Sequence, residues 1–357
     1  MSRARHTGPA LPGPEESLAE ARDLARVCAP RSLETGEIFE ANAFYGNDRV
    51  LKAYAGLPLD QPLKAVIPHG VVFDESYVWP LEQQALLPAV LAYGENRERA
   101  YSRATDKLVI RSAPPFAYAA KLLEGAPPLQ RAGTLFFPTH STHHITWQAD
   151  FDGMAEALLA LEPKFQPVTV CVYWRDYELG RHLPFSRRGL PVVSAGHMFD
   201  PQFLFRIVHL CRAHAYAASN VLGSYVVYSV IAGCCFFFLP GFEARRSADE
   251  AAHGADISAP GETGAALQRE FAQPYASLGA RRADLLSRAS DFDRILAPAA
   301  LRAALAMADR LDRYGIAASH LDGRPRFSIP LRFARAGRRM RQAGRRWLRA
   351  GLARPAG

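Results

Sequence analysis

Short apolar runs that end in small polar residues recur between residues 134 and 241. Such runs, bounded by turn-forming residues, are typical of parallel strands buried on both faces. They occupy residues 134–137, 167–174, 190–194, 215–218 and 234–239. At 154–161 and 203–211, apolar residues recur every three or four positions, which predicts helices. Strands that alternate with helices predict an α/β fold with a parallel sheet, whose ligands bind beyond the carboxyl ends of the strands.

A smaller unit of the same kind precedes this one. Its predicted elements are a strand at 64–72, a buried run at 86–93, a helix at 95–102, a strand at 107–110 and a helix at 116–123. Residues 124–133 are rich in proline and glycine, which is typical of a linker. We expect a flexible or helical segment at 1–40, α/β domains at 41–130 and 131–242, a loop with helices at 243–330, and a basic tail at 331–357.

Three shorter stretches have patterns of their own. Residues 15–28 predict a surface helix, and 41–63 predict a compact, turn-rich lead-in to the first strand. Residues 265–287 and 297–314 predict two helices, the second with an apolar stripe.

The positive charge of the chain is concentrated at its C-terminal end. The net charge is +8, yet no acidic residue follows Asp322, and the eleven arginines beyond it leave 32 basic and 35 acidic residues in the rest of the chain. As a helix, residues 331–352 would have an apolar side with Trp347, which is typical of a helix on an anionic membrane surface. Nucleic-acid binding and a solvated tail are the alternatives. The apolar side chains favour the membrane, and we expect no nucleic-acid partner.

The cysteines and the N-terminus bear on the cellular compartment. The cysteines are Cys28, Cys171, Cys211, Cys234 and Cys235. They form no CxxC pair, and most lie in apolar runs, so we expect reduced, buried thiols in a cytoplasmic protein. The N-terminus lacks the apolar core of a signal peptide. Residues 215–242 are uncharged and long enough to span a membrane, but Gly233 favours a helix at 224–232 followed by a strand.

The densest polar cluster follows the first strand of the larger unit. It contains His140, Ser141, Thr142 and His143. At the start of a helix, backbone N–H groups, hydroxyls and an imidazole would suit a phosphate or diphosphate, and ordinary helix capping is the alternative. Three histidines within five residues also allow a metal site. Neither an HExxH pattern nor a cysteine spacing completes one, so we expect no metal and no cofactor.

A second polar cluster lies between the run at 215–218 and a predicted helix. It contains Ser219, Asn220, Gly223 and Ser224. A helix that begins with glycine and serine favours an anion at its N-terminus, and an ordinary cap is again the alternative. In a parallel sheet, this cluster and the first would lie at the same edge. Arg175 and Asp176, after the run at 167–174, are weaker candidates for phosphate or sugar contacts.

Two further histidines follow predicted strands. His69 could act as general base for a hydroxyl across a cleft from the larger unit, with Asp74 or Glu75 as alternative bases and a structural role as the other possibility. His197 follows the run at 190–194 and is a candidate ligand contact.

The order of elements from 133 to 241 resembles the donor-binding half of GT-B glycosyltransferases that make bacterial capsule and surface polysaccharides. The likeness depends most on the second polar cluster, the helix after it, Gly233 and the strand at 234–239. The segment Phe-Pro-Thr-His-Ser-Thr at 137–142 is similar to the segments that hold the nucleotide phosphate in sialyltransferase-like and Kdo-transferase-like members. His69-Gly70 resembles the His-Gly of teichoic-acid polymerases, in which the histidine serves as base.

The resemblance implies two Rossmann-like domains that face a cleft, with a helical C-terminal tail, and a metal-independent glycosyltransferase. His69 would deprotonate a saccharide or lipid-linked acceptor, reached from a cytoplasmic, membrane-peripheral position. The nucleotide-sugar donor would be held by His140, Ser141, Thr142, His143, His197, Ser219, Asn220, Gly223 and Ser224. A nucleotide-sugar epimerase or polyol-phosphate transferase of the same fold, and a non-catalytic partner in polysaccharide assembly, are the alternatives.

Overall fold

The structure is a computed structural model that describes residues 11–142, 146–246 and 261–315. Across these ranges the chain has an α/β fold with parallel sheets, as the alternation of strand and helix patterns predicts. The Arg-rich tail at 331–357 and His143 lie outside the described residues.

The N-terminal part of the chain builds a three-stranded parallel sheet in the order β1-β2-β3. Its elements are α1 (Pro14–Arg22), α2 (Leu24–Val27), a 3-10 segment (Glu40–Gly46), α3 (Asn47–Ala55), β1 (Ala65–Val66), α4 (Pro80–Gln84), β2 (Ala89–Ala92), α5 (Glu95–Ala104), β3 (Leu108–Arg111) and α6 (Pro115–Leu122). Strand β1 is shorter than predicted, and Pro68 follows it closely, where a residue without an N–H cannot extend a ladder.

Helix α3 corrects the expectation of a turn-rich lead-in at 41–63. Val50, Leu51 and Ala55 are fully buried on this helix and form its apolar face. Gly46 and Gly56 flank it in the left-handed conformation, with φ of 75° and 64°. A glycine after the last turn is a normal helix stop. The two glycines therefore bound a nine-residue helix rather than mark a run of turns.

Five parallel strands form the larger sheet, in the order β7-β6-β4-β8-β9. Its part of the chain comprises β4 (Thr134–Phe137), β5 (Trp147–Gln148), α7 (Phe151–Leu159), a 3-10 turn (Pro163–Phe165), β6 (Val168–Cys171), α8 (Trp174–Glu178), α9 (Leu183–Arg187), β7 (Val192–Val193), α10 (Phe203–Arg212), β8 (Tyr216–Ser219), α11 (Ser224–Ile231), β9 (Cys235–Phe238) and β10 (Arg245–Arg246). Strand β10 pairs antiparallel with β5, apart from this sheet. The strand order reverses between β4 and β8, and such a reversal opens a crevice at the carboxyl ends of the strands.

In the larger unit, the structure corrects one prediction from the sequence and decides between two interpretations of another stretch. The strand predicted at 167–174 ends at Cys171, so Arg175 and Asp176 lie in helix α8 rather than at a strand end. The uncharged stretch 215–242 forms β8, α11 and β9, with Gly233 at φ 84° after the helix, as its glycine breaks predict. Within the described part of the chain, no helix combines the length and the apolar character needed to cross a membrane.

The end of the described chain returns to the smaller sheet. Helices α12 (Glu262–Glu270), α13 (Gly279–Ser290) and α14 (Pro298–Tyr314) follow the larger unit. Helix α13 packs on α5 and α14 on α3, whereas the N-terminal α1 packs on α10 of the larger unit. The single helix predicted at 265–287 is two helices, because the segment between them contains Pro274, which cannot continue a helical hydrogen-bond ladder.

One apolar core extends across both sheets. It includes Ile67 and Leu91 near the smaller sheet and Leu135 and Ala217 in the larger one. Helix α6, which ends just before the predicted linker at 124–133, packs against α10 and α11 and joins the two halves of this core. The cysteines are free thiols, and all but Cys235 are buried, as expected.

Candidate functional site

The segment after β1 presents His69 at the carboxyl edge of the smaller sheet. Its backbone is fixed from both units, because the Tyr93 hydroxyl donates to the Pro68 carbonyl (3.1 Å) and the Val71 N–H donates to Ser224 Oγ (2.9 Å). The His69 side chain remains 43% exposed. The rings of Trp79 and Phe44 lie edge-on to its imidazole, with centroid distances of 5.0 and 6.5 Å.

A buried carboxylate lies behind this imidazole. Glu82 Oε1 is 4.0 Å from His69 Nδ1, and the Glu82 side chain is only 5% exposed. The Tyr101 hydroxyl donates to Glu82 Oε2 at 2.5 Å. Burial raises the pKa of Glu82, while the Tyr101 hydrogen bond and the Arg97 charge oppose that rise. An exposed imidazole with a carboxylate behind it can act as a general base.

The two carboxylates proposed as alternative bases have structural roles. Asp74 Oδ1 accepts hydrogen bonds from the backbone N–H groups of Ser76 (2.7 Å) and Tyr77 (3.2 Å). Glu75 Oε1 accepts from the Thr263 N–H (2.7 Å) at the start of α12. These bonds lower the pKa of both carboxyl groups against the effect of burial. Each group therefore holds a loop or a helix start.

The loop after β4 is shaped by Ser141. This residue is fully buried, and its N–H donates to Asp176 Oδ2 (2.9 Å). Its Oγ accepts hydrogen bonds from the Trp147 N–H (3.0 Å) and from Arg181 Nη1, which also donates to Asp176 Oδ1 (2.9 Å). Residues 138–142 form an irregular loop, so the helix start predicted here is wrong, and with it the helix-dipole argument for an anion.

His140 stands on this loop beside the ring of Tyr173, at a centroid distance of 5.0 Å. Burial lowers the pKa of His140, and the nearby Asp176 carboxylate opposes that shift. The Tyr173 hydroxyl lies 3.0 Å from the Tyr45 hydroxyl, and Tyr45 belongs to the 3-10 segment of the smaller unit. Because the Phe44 ring lies beside His69, the two imidazoles are connected by three aromatic rings, those of Tyr173, Tyr45 and Phe44, with one backbone step between Tyr45 and Phe44.

The turn at Phe44–Gly46 is pinned to the larger unit. Tyr45 adopts φ 60°, a left-handed conformation that is uncommon for a bulky residue, and its N–H donates to the Met198 carbonyl (2.6 Å). A Cβ atom on Gly46 would lie 2.4 Å from the Pro201 carbonyl oxygen. The prediction of a turn-rich stretch at 41–63 covers this turn, but it gave no sign of the contact with the larger unit.

Asn220 closes the crevice between β4 and β8. Its Oδ1 accepts from the Thr139 N–H (2.8 Å), and its Nδ2 donates to the Phe242 carbonyl (3.1 Å). It thereby ties together the loops that follow β4, β8 and β9. An open groove of about 390 Å³ lies beside it, with walls from Val221, Phe238, Pro240, Phe242 and Gln268 among others.

The other residues of the second polar cluster, Ser219, Gly223 and Ser224, lie around Tyr225 and the start of helix α11. The Tyr225 ring stacks on Phe137 at 5.3 Å, and its hydroxyl donates to the Val221 carbonyl (2.9 Å). A Cβ atom on Gly223 would lie 2.5 Å from that ring, which explains the glycine. Ser219 Oγ accepts from the Val221 N–H (3.2 Å). Helix α11 begins at Ser224 as predicted, but the Ser224 hydroxyl is engaged by Val71.

His197 lies within an aromatic cluster rather than at an open edge. It is only 4% exposed, and its ring packs against Trp174 (4.2 Å) and Phe199 (4.9 Å). Its Nδ1 accepts from the Phe199 N–H (3.1 Å). Burial lowers the pKa of His197. His197 is therefore buried, whereas His69 is exposed, although Phe199 and Phe44 connect the two rings.

Glu82 and Asp176 are the functional candidates that sequence reasoning missed or undervalued. Glu82 is 13 positions from His69, and Asp176 is 35 positions from Ser141, so no local spacing links either pair. Within the described ranges, no three His, Cys, Asp or Glu side chains gather as a metal site would require. The sequence matches no protein-family model and no curated protein.

Proposed function

We propose that the protein is a glycosyltransferase, built on the GT-B plan, that moves a sugar from a nucleotide-sugar donor to a saccharide or lipid-linked acceptor. The observation that carries the proposal is the convergence of two strand-end histidines. His69 from the smaller sheet and His140 from the larger one are linked through the side chains of Phe44, Tyr45 and Tyr173, with the Tyr45–Tyr173 hydroxyl pair between them. In the proposed arrangement, the polar strand ends of the two α/β units face each other, which suits a reaction between two bound substrates.

On the acceptor side, His69 is the base. As the acceptor oxygen bonds to the anomeric carbon, its proton passes to the imidazole and the sugar–phosphate bond breaks toward the nucleotide. The exposed position of His69 leaves it accessible to an acceptor, and Trp79 and Phe44 fix the ring on two sides.

On the donor side, the groove beside Asn220 and the loop at His140 are the proposed nucleotide site. A neutral imidazole at His140 can donate an N–H to the leaving phosphate, in place of a divalent ion. Ser141, Ser219, Asn220 and Ser224 shape the loops through the hydrogen bonds described above. In this proposal they act on the donor through the backbone they hold.

Calorimetric binding of CMP, CDP, UDP, GDP and ADP tests the donor site. We expect one nucleotide to bind and His140→Ala to weaken its binding by about 1.5–3 kcal/mol, the range for a hydrogen bond to a charged group. Lys164→Ala is the control, because Lys164 precedes β6 and lies at the opposite edge of the same sheet. Absence of binding at millimolar nucleotide would contradict a nucleotide-sugar donor and leave the non-catalytic partner as the better interpretation.

Product analysis with the matching nucleotide-sugar then tests the reaction. A transferase releases nucleotide in proportion to added saccharide or lipid-linked acceptor. An epimerase converts the sugar without an acceptor, and a polyol-phosphate transferase moves the phosphate with its polyol. Either of these outcomes would replace the transferase assignment. Sedimentation with anionic vesicles, with and without residues 331–357, tests the proposed membrane contact.

A further inference from the structure

We propose that Glu82 is the positioning residue of His69: its buried carboxylate holds the imidazole and balances the charge that appears when the ring takes a proton. The inference rests on the proposed function for the identity of the reaction. The pairing itself can be tested without any substrate.

The two oxygens of Glu82 have different partners. Oε2 accepts the hydrogen bond of the Tyr101 hydroxyl, and Oε1 faces His69 Nδ1 across 4.0 Å. Tyr101 is fully buried, and burial raises its pKa, so its hydroxyl stays protonated and remains a donor. The carboxylate is therefore fixed from behind by a permanent donor, with one oxygen directed at the imidazole.

The place of Glu82 on its helix requires an explanation. Leu81 beside it is 53% exposed and Gln83 is also exposed, whereas Glu82 turns inward. A buried carboxylate without a compensating charge is costly. A glutamine would accept the Tyr101 hydrogen bond equally well, so hydrogen bonding alone does not call for a charge. The Arg97 guanidinium and an imidazole that becomes cationic both do.

The other titratable groups around Glu82 come from three elements. Helix α5 contributes Arg97 and Tyr101, β2 leads into Tyr93, and the loop before α4 contributes Tyr77. Arg97 is already engaged, because it donates to the Tyr77 carbonyl and lies over the Tyr101 ring at 4.8 Å. The Arg97 charge favours an ionised Glu82, and burial opposes it. The tyrosines are neutral, so His69 is the partner whose charge changes during a proton transfer.

The Glu82→Gln variant tests the pairing, since it keeps the shape and the Tyr101 hydrogen bond and removes the charge. We expect the His69 ring, followed by NMR titration, to lose its proton at a pH lower by about half a unit or more than in the wild type. Tyr101→Phe should move the titration in the same direction by less. Glu98→Gln is the control, because that carboxylate is exposed and pairs with Arg111 (3.3 Å). Identical His69 titrations in Glu82→Gln and the wild type would overturn the proposal.

Activity provides a second reading. In Glu82→Gln we expect kcat to fall by about tenfold or more with KM nearly unchanged, and the acid limb of the pH–rate profile to move to lower pH. A shifted limb is not expected from a purely structural defect. If the NMR shift is present but no nucleotide-sugar is consumed by the wild type, the pairing stands and the proposed function fails.

Discussion

The carboxyl edges of the two sheets use their polar side chains in different ways. At the smaller sheet, His69 is 43% exposed and has a carboxylate behind it. At the larger sheet, the side chains of Ser141, Asn220 and Ser224 accept hydrogen bonds from backbone N–H groups of other segments. Polar residues after strands are therefore of two kinds: one kind holds the shape of the edge, and the other stays exposed, where a ligand can reach it. Hydroxyls and amides at this larger edge belong mostly to the first kind.

The sharpest test of this comparison is His69→Gln. If His69 is the base, we expect transfer to fall by about 10²–10⁴-fold, with little change in thermal stability, because an exposed ring contributes little to folding. His182→Gln, a change to a half-buried histidine of the larger unit, is the control. Equal activity of the two variants would contradict a special role for the smaller sheet's edge.

Gly223→Ala should be the most damaging to folding at the larger edge. The new methyl group would meet the Tyr225 ring at 2.5 Å, so either the ring or the loop must move. We expect a loss of about 1–3 kcal/mol in the free energy of unfolding, measured with urea. Gly125→Ala is the control, since no atom lies within 4 Å of its new Cβ. A Gly223→Ala protein as stable as this control would disprove the proposed role of the glycine.

Ser141→Ala tests whether the serine hydroxyl holds the β4 loop. The change leaves the half-buried Trp147 N–H without its acceptor and removes one hydrogen bond of Arg181. A loss of about 1–2 kcal/mol in unfolding free energy is expected. Ser186→Ala, at an exposed serine, should change stability by much less. If Ser141→Ala abolished nucleotide binding without a loss of stability, the hydroxyl would belong to the ligand instead.

His197→Phe should have the smallest effect, which is a change in how steeply the stability of the folded state varies with pH. The pKa of His197 is lowered in the folded protein, so the unfolded chain takes up a proton first as the pH falls below about 6.5. This contribution makes the folded state less stable toward acid. Replacement by phenylalanine should make stability fall less steeply between about pH 6.5 and 5, as measured by urea midpoints. Parallel curves for variant and wild type would contradict the lowered pKa.

Much of the fold was predictable, because a strong periodicity of apolar residues shows which face of a helix or strand is buried. Helix α10 and the sequence β8–α11–β9 lie where the patterns place them. Helix α3 was missed because glycines at both its ends mimic turns. The helix predicted after His140 is absent from residues 138–142, since Ser141 bonds to Asp176 rather than capping a helix.

The site was less predictable than the fold. Strand ends locate candidate residues, and His69 was found in this way, but Glu82 and Asp176 depend on side chains brought together by packing. The sequence pattern also cannot tell which of His69 and His197 is exposed. Both follow strands, and their exposure depends on the aromatic rings that surround them in the folded protein.

The apolar core that extends through α6, α10 and α11 has a consequence for how the chain can be divided. In fragments separated at residues 124–133, α6 would lose its contacts with α10 and α11. The contact of α1 with α10 and that of α14 with α3 would be lost as well. Neither fragment would be expected to fold by itself, although the two halves expressed together should find each other and reassemble. For the same reason, the intact chain is expected to unfold in a single cooperative transition, although it has two sheets.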